Sequence, residues 1–211
     1  MVVPLLTVIL YQKIYKKQKI LHTFGILRPT LKTVVFFMVF PLLLGIGLHF
    51  GFGIYNITFL FKQWNELGFL LLVDLTIGSL SALLEEIIWR GNFHYYLRRK
   101  YSLAWTAVIT ATIWSMWHVP IALFYKNYDL WILGIFSYST LLFVFLIILT
   151  YTREYGRSVV SASIFHGMFN VFYLTDGMQN GCNVEGMERI KFILLVTVFS
   201  MVCLIHRKIK R

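Results

Sequence analysis

Charge is what this chain has least of. Only 14% of its 211 residues are charged and only 9 are acidic, whereas an ordinary soluble domain carries about a quarter charged residues. With 58% hydrophobic and 18% aromatic residues, that shortage excludes a globule with a normal water-facing surface. Cysteine is nearly absent too. Cys182 stands in a polar loop and Cys203 near the far end of the last apolar run. They fall on opposite sides of the membrane in the topology below, which excludes a disulfide framework, and neither belongs to a CxxC metal pair. There is no internal repeat, no low-complexity linker and no sign of a second domain. The opening MVVPLLTVILY has no basic region ahead of its apolar part, so it does not read as a cleavable signal peptide.

What the chain does have is long apolar runs. Thr33–Gly53, Leu67–Ile88, Leu103–Tyr125, Leu130–Tyr151, Ser158–Leu174 and Ile190–His206 are each at or near the roughly 17–25 residues a membrane-spanning helix needs. Residues 1–11 form a shorter run that covers only about 16 Å as a helix. The expected fold is therefore all-α: a polytopic transmembrane helix bundle of six full spans plus a short N-terminal hydrophobic segment. It is expected to be a single integral membrane domain over residues 1–211, with a motif-bearing core at about 67–174.

The formal charge of +11 resembles a nucleic-acid signal, but its placement points to membrane topology. Lys13, Lys16, Lys17, Lys19, Arg28 and Lys32 fill the first loop, and Arg90, Arg98, Arg99 and Lys100 the third. Arg153 and Arg157 follow in the fifth, and Arg207, Lys208, Lys210 and Arg211 in the tail. The alternate loops hold only Lys62, Lys126, Arg189 and Lys191, so the 20 basic residues divide 16 against 4. The positive-inside rule puts the richer set, and the C-terminus, in the cytosol. Membrane lipids are the expected surroundings, and no nucleic-acid partner is expected.

Within the spans, ionisable groups are few: Asp74, Glu85, Glu86, His118 and His166, with His49 and His206 at the ends, where they are expected to be solvated. A charge at a helix centre costs roughly 2.5–3.5 kcal/mol on insertion scales, so such residues are functional candidates. Asp74 is expected to pair with a neighbouring helix. Glu86 and Arg90 are four apart, the favourable order for an ion pair on a helix, whereas Glu85 points about 100° away. One carboxylate can then serve as a general base while its neighbour orients the helix. Trp114 and His118 are four apart on one face, as are His166 and Asn170, with Gly167 between the latter leaving room for close packing. An imidazole and a carboxamide are suitable donors for a tetrahedral oxyanion. Glu85 lies about 8 Å inside Arg90 and His166 about 12 Å beyond Ser158, but His118 is about 22 Å from Leu103. Bringing the three together requires a tilt, or a helix that begins deeper.

The order Glu85–Glu86–Ile87–Ile88–Trp89–Arg90, Trp114–Ser115–Met116–Trp117–His118 and His166–Gly167–Met168–Phe169–Asn170 resembles a membrane-embedded protease family. That family, called CPBP or Abi, includes type II CAAX prenyl endopeptidases and bacterial proteins linked to bacteriocin processing and immunity. Its pattern is EExxxR, then an aromatic residue ahead of a histidine, then HxxxN. The second motif more often has phenylalanine where this chain has Trp114. The resemblance implies that Glu85 and His118 position and activate the attacking water. It implies that His166 and Asn170 hold the oxyanion, with Glu86 and Arg90 shaping the site and Trp114 supporting it. The cofactor stays open between none and Zn²⁺, for which Glu85, His118 and His166 would be the ligands, leaving a position for water. No HExxH is present to suggest a standard zincin site.

The leading expectation is an endopeptidase cleaving a peptide or protein substrate, lipidated or membrane-associated, in a site open to the cytosol. Against it stands a non-catalytic bacteriocin immunity or peptide-binding protein of the same fold, which would not need a base and an oxyanion hole. A proton or ion transporter would use Asp74, Glu85 and His118 as a relay, but repeated halves and broken helices are not evident in the sequence.

Overall fold

In the computed structural model the described residues are 2–16, 23–54, 64–174 and 184–209. Cys182, Lys17, Lys19, Lys62, Lys210 and Arg211 lie outside them, as do the side chains of His49, Asp74 and His206. Every regular element among the described residues is helical, the arrangement that satisfies backbone polar groups without water. In chain order these are α1 (Val2–Tyr11), α2 (Leu31–Ile54), α3 (Trp64–Val73), α4 (Ser79–Glu86), α5 (His94–Arg98), α6 (Leu103–Trp117), α7 (Val119–Tyr125), α8 (Trp131–Gly156), α9 (Val159–Phe169) and α10 (Val184–Ile209). Wider π-helical turns occupy Gln12–Lys16, Asp74–Gly78, Ile87–Phe93 and Asn170–Leu174.

Among the described residues, three stretches are long and apolar enough to cross a membrane: Leu31–Leu48, Leu103–Tyr125 and Trp131–Gly156. The expectation of six spans is met in length and composition at these three. The run Leu67–Ile88 is helical but divided by the π turn at Asp74–Gly78, and Ser158–Leu174 forms the shorter α9 and its π turn. The run Ile190–His206 lies within α10, and residues 1–11 correspond to α1, too short to span. Val35, Phe36, Val39 and Leu43 lie along one outward face of α2 and are all exposed, a surface suited to lipid and ill suited to water. The protein is a membrane protein.

The chain forms two compact units, residues 1–106 with 149–178, and residues 107–148 with 179–211. In the first, α9 is the hub and packs against α4 and α2. Lipid is as apolar as leucine, so packing rather than hydrophobicity must hold such helices together. Small residues at Ser161, Ala162 and Ser163 bury fully and let neighbours approach. Phe37 and Phe40 of α2 meet the Phe165 ring with centroids 5.9 and 6.2 Å away. A Cβ on Gly45 of α2 would stand 2.1 Å from the Phe172 carbonyl oxygen.

Gly91 makes a similar approach inside the π turn that follows the glutamates. A Cβ there would lie 2.6 Å from the carbonyl oxygen of Phe24, a main-chain atom that cannot swing aside. Gly91→Ala is therefore expected to lower stability by about 1–3 kcal/mol, the usual range for overpacking. Unfolding of the detergent-solubilised variant beside wild type checks this, and equal stability would contradict the close approach.

In the second unit the helix starting at Leu103 breaks at His118 (φ −91°, ψ −6°) before α7 resumes with Pro120 in its first turn. Proline has no N–H to offer the carbonyl four residues back, so the break is written in the sequence. Lys126 and Tyr128, between α7 and α8, both reach the buried carboxylate of Glu188 on α10, at 3.2 and 2.9 Å. Phe124, Tyr125 and Trp131, all exposed, flank that connection as aromatic residues do at a membrane–water interface.

Candidate active site

The glutamate pair sits at the end of α4, just before the π turn Ile87–Phe93. Consecutive helical residues face about 100° apart, and the pair divides accordingly. Glu86 is fully buried, whereas Glu85 is partly exposed. Glu86 Oε1 accepts hydrogen bonds from Arg90 Nη1 at 3.3 Å and from His166 Nδ1 at 2.8 Å. The ion pair read from the sequence is thus formed, and α9 adds the histidine to it. Glu86, Arg90 and His166 are each 2% exposed or less. A buried charge without partners is costly; here one carboxylate is bracketed by two donors.

Arg90 therefore does not lie in a loop, as the count of basic residues had it. It is a core residue committed to Glu86, which leaves 15 of the 16 basic residues on the richer side.

The carboxylate can only accept, so the proton of the His166–Glu86 bond sits on Nδ1. In the neutral ring the lone pair is then on Nε2. Glu85 Oε2 and Glu86 Oε2 are buried and accept no hydrogen bond among the described residues. Asn170, four residues after His166, begins the π turn Asn170–Leu174 and has an exposed side chain. Among the expected site residues, the first unit thus contains Glu85, Glu86, Arg90, His166 and Asn170.

Trp114 and His118 belong to the second unit. Trp114 is buried, and its ring lies 3.7 Å from the His118 ring, centroid to centroid, at an interplanar angle of 30°. His118 Nδ1 lies 3.0 Å from the Trp114 carbonyl oxygen. A carbonyl cannot donate, so Nδ1 carries the proton and the neutral ring again has its lone pair on Nε2. The helix begins at Leu103, as drawn from the sequence, and not deeper.

Zinc does not fit the carboxylate at the centre of the first unit's cluster. The two donors that meet there are Glu86 and His166, and the Arg90 guanidinium occupies the same carboxylate oxygen, where its charge opposes a cation. The expected ligands Glu85, His118 and His166 are divided between the two units. Among the described residues no three His, Cys, Asp or Glu side chains are grouped to hold a metal ion.

Sequence reasoning missed the polar groups behind the π turn. Arg153 Nε donates to the Arg90 carbonyl at 3.1 Å, and Glu154 accepts from Arg98 Nε at 2.6 Å and pairs with His94 Nε2 at 3.1 Å. Burial lowers the pKa of His94 against the pull of Glu154, and in its neutral form the ring donates from Nε2. Arg153 carried only a topological signal in the sequence, as one basic residue among many.

A family model described as type II CAAX prenyl endopeptidase Rce1-like matches residues 63–172, a little over half of the chain, and this range contains all three motifs. A similar curated protein is CAAX prenyl protease 2 of Methanococcus maripaludis (strain S2). It is 28% identical over 166 residues, covering 74% of this chain and 61% of that protein. The match thus spans about three fifths of that relative's length.

Proposed function

This chain belongs to the type II CAAX prenyl endopeptidase Rce1-like family, and from that premise we propose that it is an intramembrane endopeptidase in which Glu85 activates water. The observation that carries this reading is the division of labour between adjacent carboxylates. Glu86 is fully buried and holds Arg90 and His166 through one oxygen, whereas Glu85, one residue away, is partly exposed and its Oε2 accepts nothing from the described residues.

In this reading Glu85 takes a proton from a water molecule as the water oxygen adds to the scissile carbonyl. His118 helps to place that water through Nε2, since Nδ1–H is held by the Trp114 carbonyl; it enters on its motif. His166 and Asn170 donate to the oxyanion. To donate from Nε2 while Nδ1–H is bonded to Glu86, His166 would have to carry both protons at that step, sharing the one Glu86 carboxylate with Arg90. Collapse of the tetrahedral intermediate breaks the C–N bond, and Glu85 returns its proton to the departing amine. Carboxylate and imidazole are enough for these steps, so the glutamic-protease form is favoured over the zinc form.

The substrate class proposed is a peptide or protein segment held at the membrane, lipidated tails included, with the site open on the side of the basic loops, the cytosol. Processing of a bacteriocin-type peptide would use the same chemistry. The test is cleavage of prenylated and unmodified peptides by protein reconstituted in lipid. Asn170→Ala is expected to lower kcat by about 10²–10³-fold, the cost of one oxyanion donor. A loss confined to KM would remove Asn170 from that role. Peptide binding without hydrolysis by wild-type protein would replace the whole reading with a binding protein.

A further inference from the structure

We propose that Arg153 is a positioning residue, which holds the π-helical turn after Glu86 in the register that keeps Arg90 against Glu86, the partner of His166. The proposal rests on the reading of that cluster as part of the active site.

The observation is in the main-chain ladder. At the end of the π turn the His94 N–H bonds to the carbonyls of Gly91 and Trp89. It passes over the carbonyl of Arg90, which an α-helix would assign to it at i−4. That passed-over carbonyl is the one that receives Arg153 Nε, at 3.1 Å. A side-chain donor thus stabilises a π turn that costs the helix its ordinary bond, and such turns concentrate at functional sites. If that donor is lost, the ladder is free to return to α register. The phase of Arg90 relative to Glu86 then changes.

Arg153 is itself fixed from the other side. Gly25 lies under its guanidinium, so that a Cβ on Gly25 would stand 2.2 Å from Nη2 and 3.0 Å from Cζ. Gly25 has a φ of +64°, a conformation glycine adopts without strain. Its carbonyl accepts the Val159 N–H at 3.0 Å, and the Ser158 hydroxyl, which caps α9 through Val160 N–H at 3.1 Å, also bonds to the Leu27 carbonyl. The short segment at residues 23–27 therefore ties the start of α9 to Arg153, and Arg153 ties it to the π turn. The two helices whose side chains meet at Glu86 and His166 share one anchor. Glu154 reinforces it by holding His94 and Arg98 just beyond the turn.

The test uses Arg153→Ala and Arg153→Lys in the full chain, reconstituted in lipid. Both are expected to lower kcat by about 10–100-fold, as a sub-ångström to 1 Å misplacement does, with KM little changed. Lysine carries its donor one atom further along the side chain than Nε, so it should not restore the rate. Added guanidinium at non-denaturing concentration should restore part of it to Arg153→Ala and none to Asn170→Ala. Wild-type kcat in Arg153→Ala, or a loss that guanidinium leaves untouched, would overturn the proposal. Hydrogen exchange over residues 87–98 reads the clamp without reference to activity. Faster exchange in Arg153→Ala is expected, and unchanged exchange overturns the clamp. A fully active Glu85→Gln beside faster exchange would instead overturn the catalytic reading and leave the clamp standing.

Discussion

Replacing Glu85 by glutamine is expected to abolish peptide cleavage and to leave the protein folded. Glutamine keeps the size and the hydrogen-bonding tip of the side chain but cannot take a proton from water, so a general base is removed with little else. General-base catalysis contributes roughly 10²–10⁴-fold, and the proton returned to the leaving amine is lost with it. Stability should scarcely move, because Glu85 is partly exposed and Glu86 holds the buried bonds. Initial rates on a fluorogenic peptide, with unfolding curves on the same preparations, measure both. Full activity in the variant would end the general-base assignment. Zinc content measured on those preparations adds a separate outcome: one zinc per wild-type chain, lost in His118→Ala, would move the mechanism to a metal-bound water.

The neighbouring substitution behaves in the opposite way. Glu86→Gln would leave the Arg90 guanidinium buried without its counter-charge, so its dominant effect is expected to be on stability. Removing one partner of a buried pair costs about 3–5 kcal/mol, and here the same oxygen also serves His166. The double variant Glu86→Gln/Arg90→Met removes both charges, so it should recover part of that loss. The non-additivity measures the coupling. Denaturant unfolding in detergent checks the pair of values. Wild-type stability in Glu86→Gln would mean that the three side chains do not act as one buried cluster. At temperatures where Glu86→Gln is still folded, its loss of cleavage should be smaller than that of Glu85→Gln.

Adjacent glutamates with opposite expected phenotypes show where sequence patterning is informative. The spacing of Glu86 and Arg90 implies an ion pair because local helical geometry alone brings residues four apart together. The Trp114–His118 contact follows from the same rule, and the break at His118 from Pro120. These are short-range consequences of the helix, and they are legible in a single chain. Long-range pairings are not: no pattern joins His166 to Glu86, 80 residues earlier, in preference to Glu85. That choice depends on which face of α4 meets α9, and small residues along α9 decide it. The π turns were invisible for a related reason. The one at Ile87–Phe93 receives a donor from far along the chain, Arg153, and apolar composition does not distinguish any of them from the α-helix around them.

Membrane residence, helical class and the identity of the three motifs were present in composition and order, because the hydrocarbon core permits few structures and penalises charge. The division between a buried Glu86 that holds Arg90 and His166 and a partly exposed Glu85 came from tertiary packing. So did the recruitment of Arg90 from an apparent loop into the core, and the anchoring of two motif helices through Gly25 and Arg153. Each depends on residues far apart in the chain meeting in an interior too crowded for alternatives.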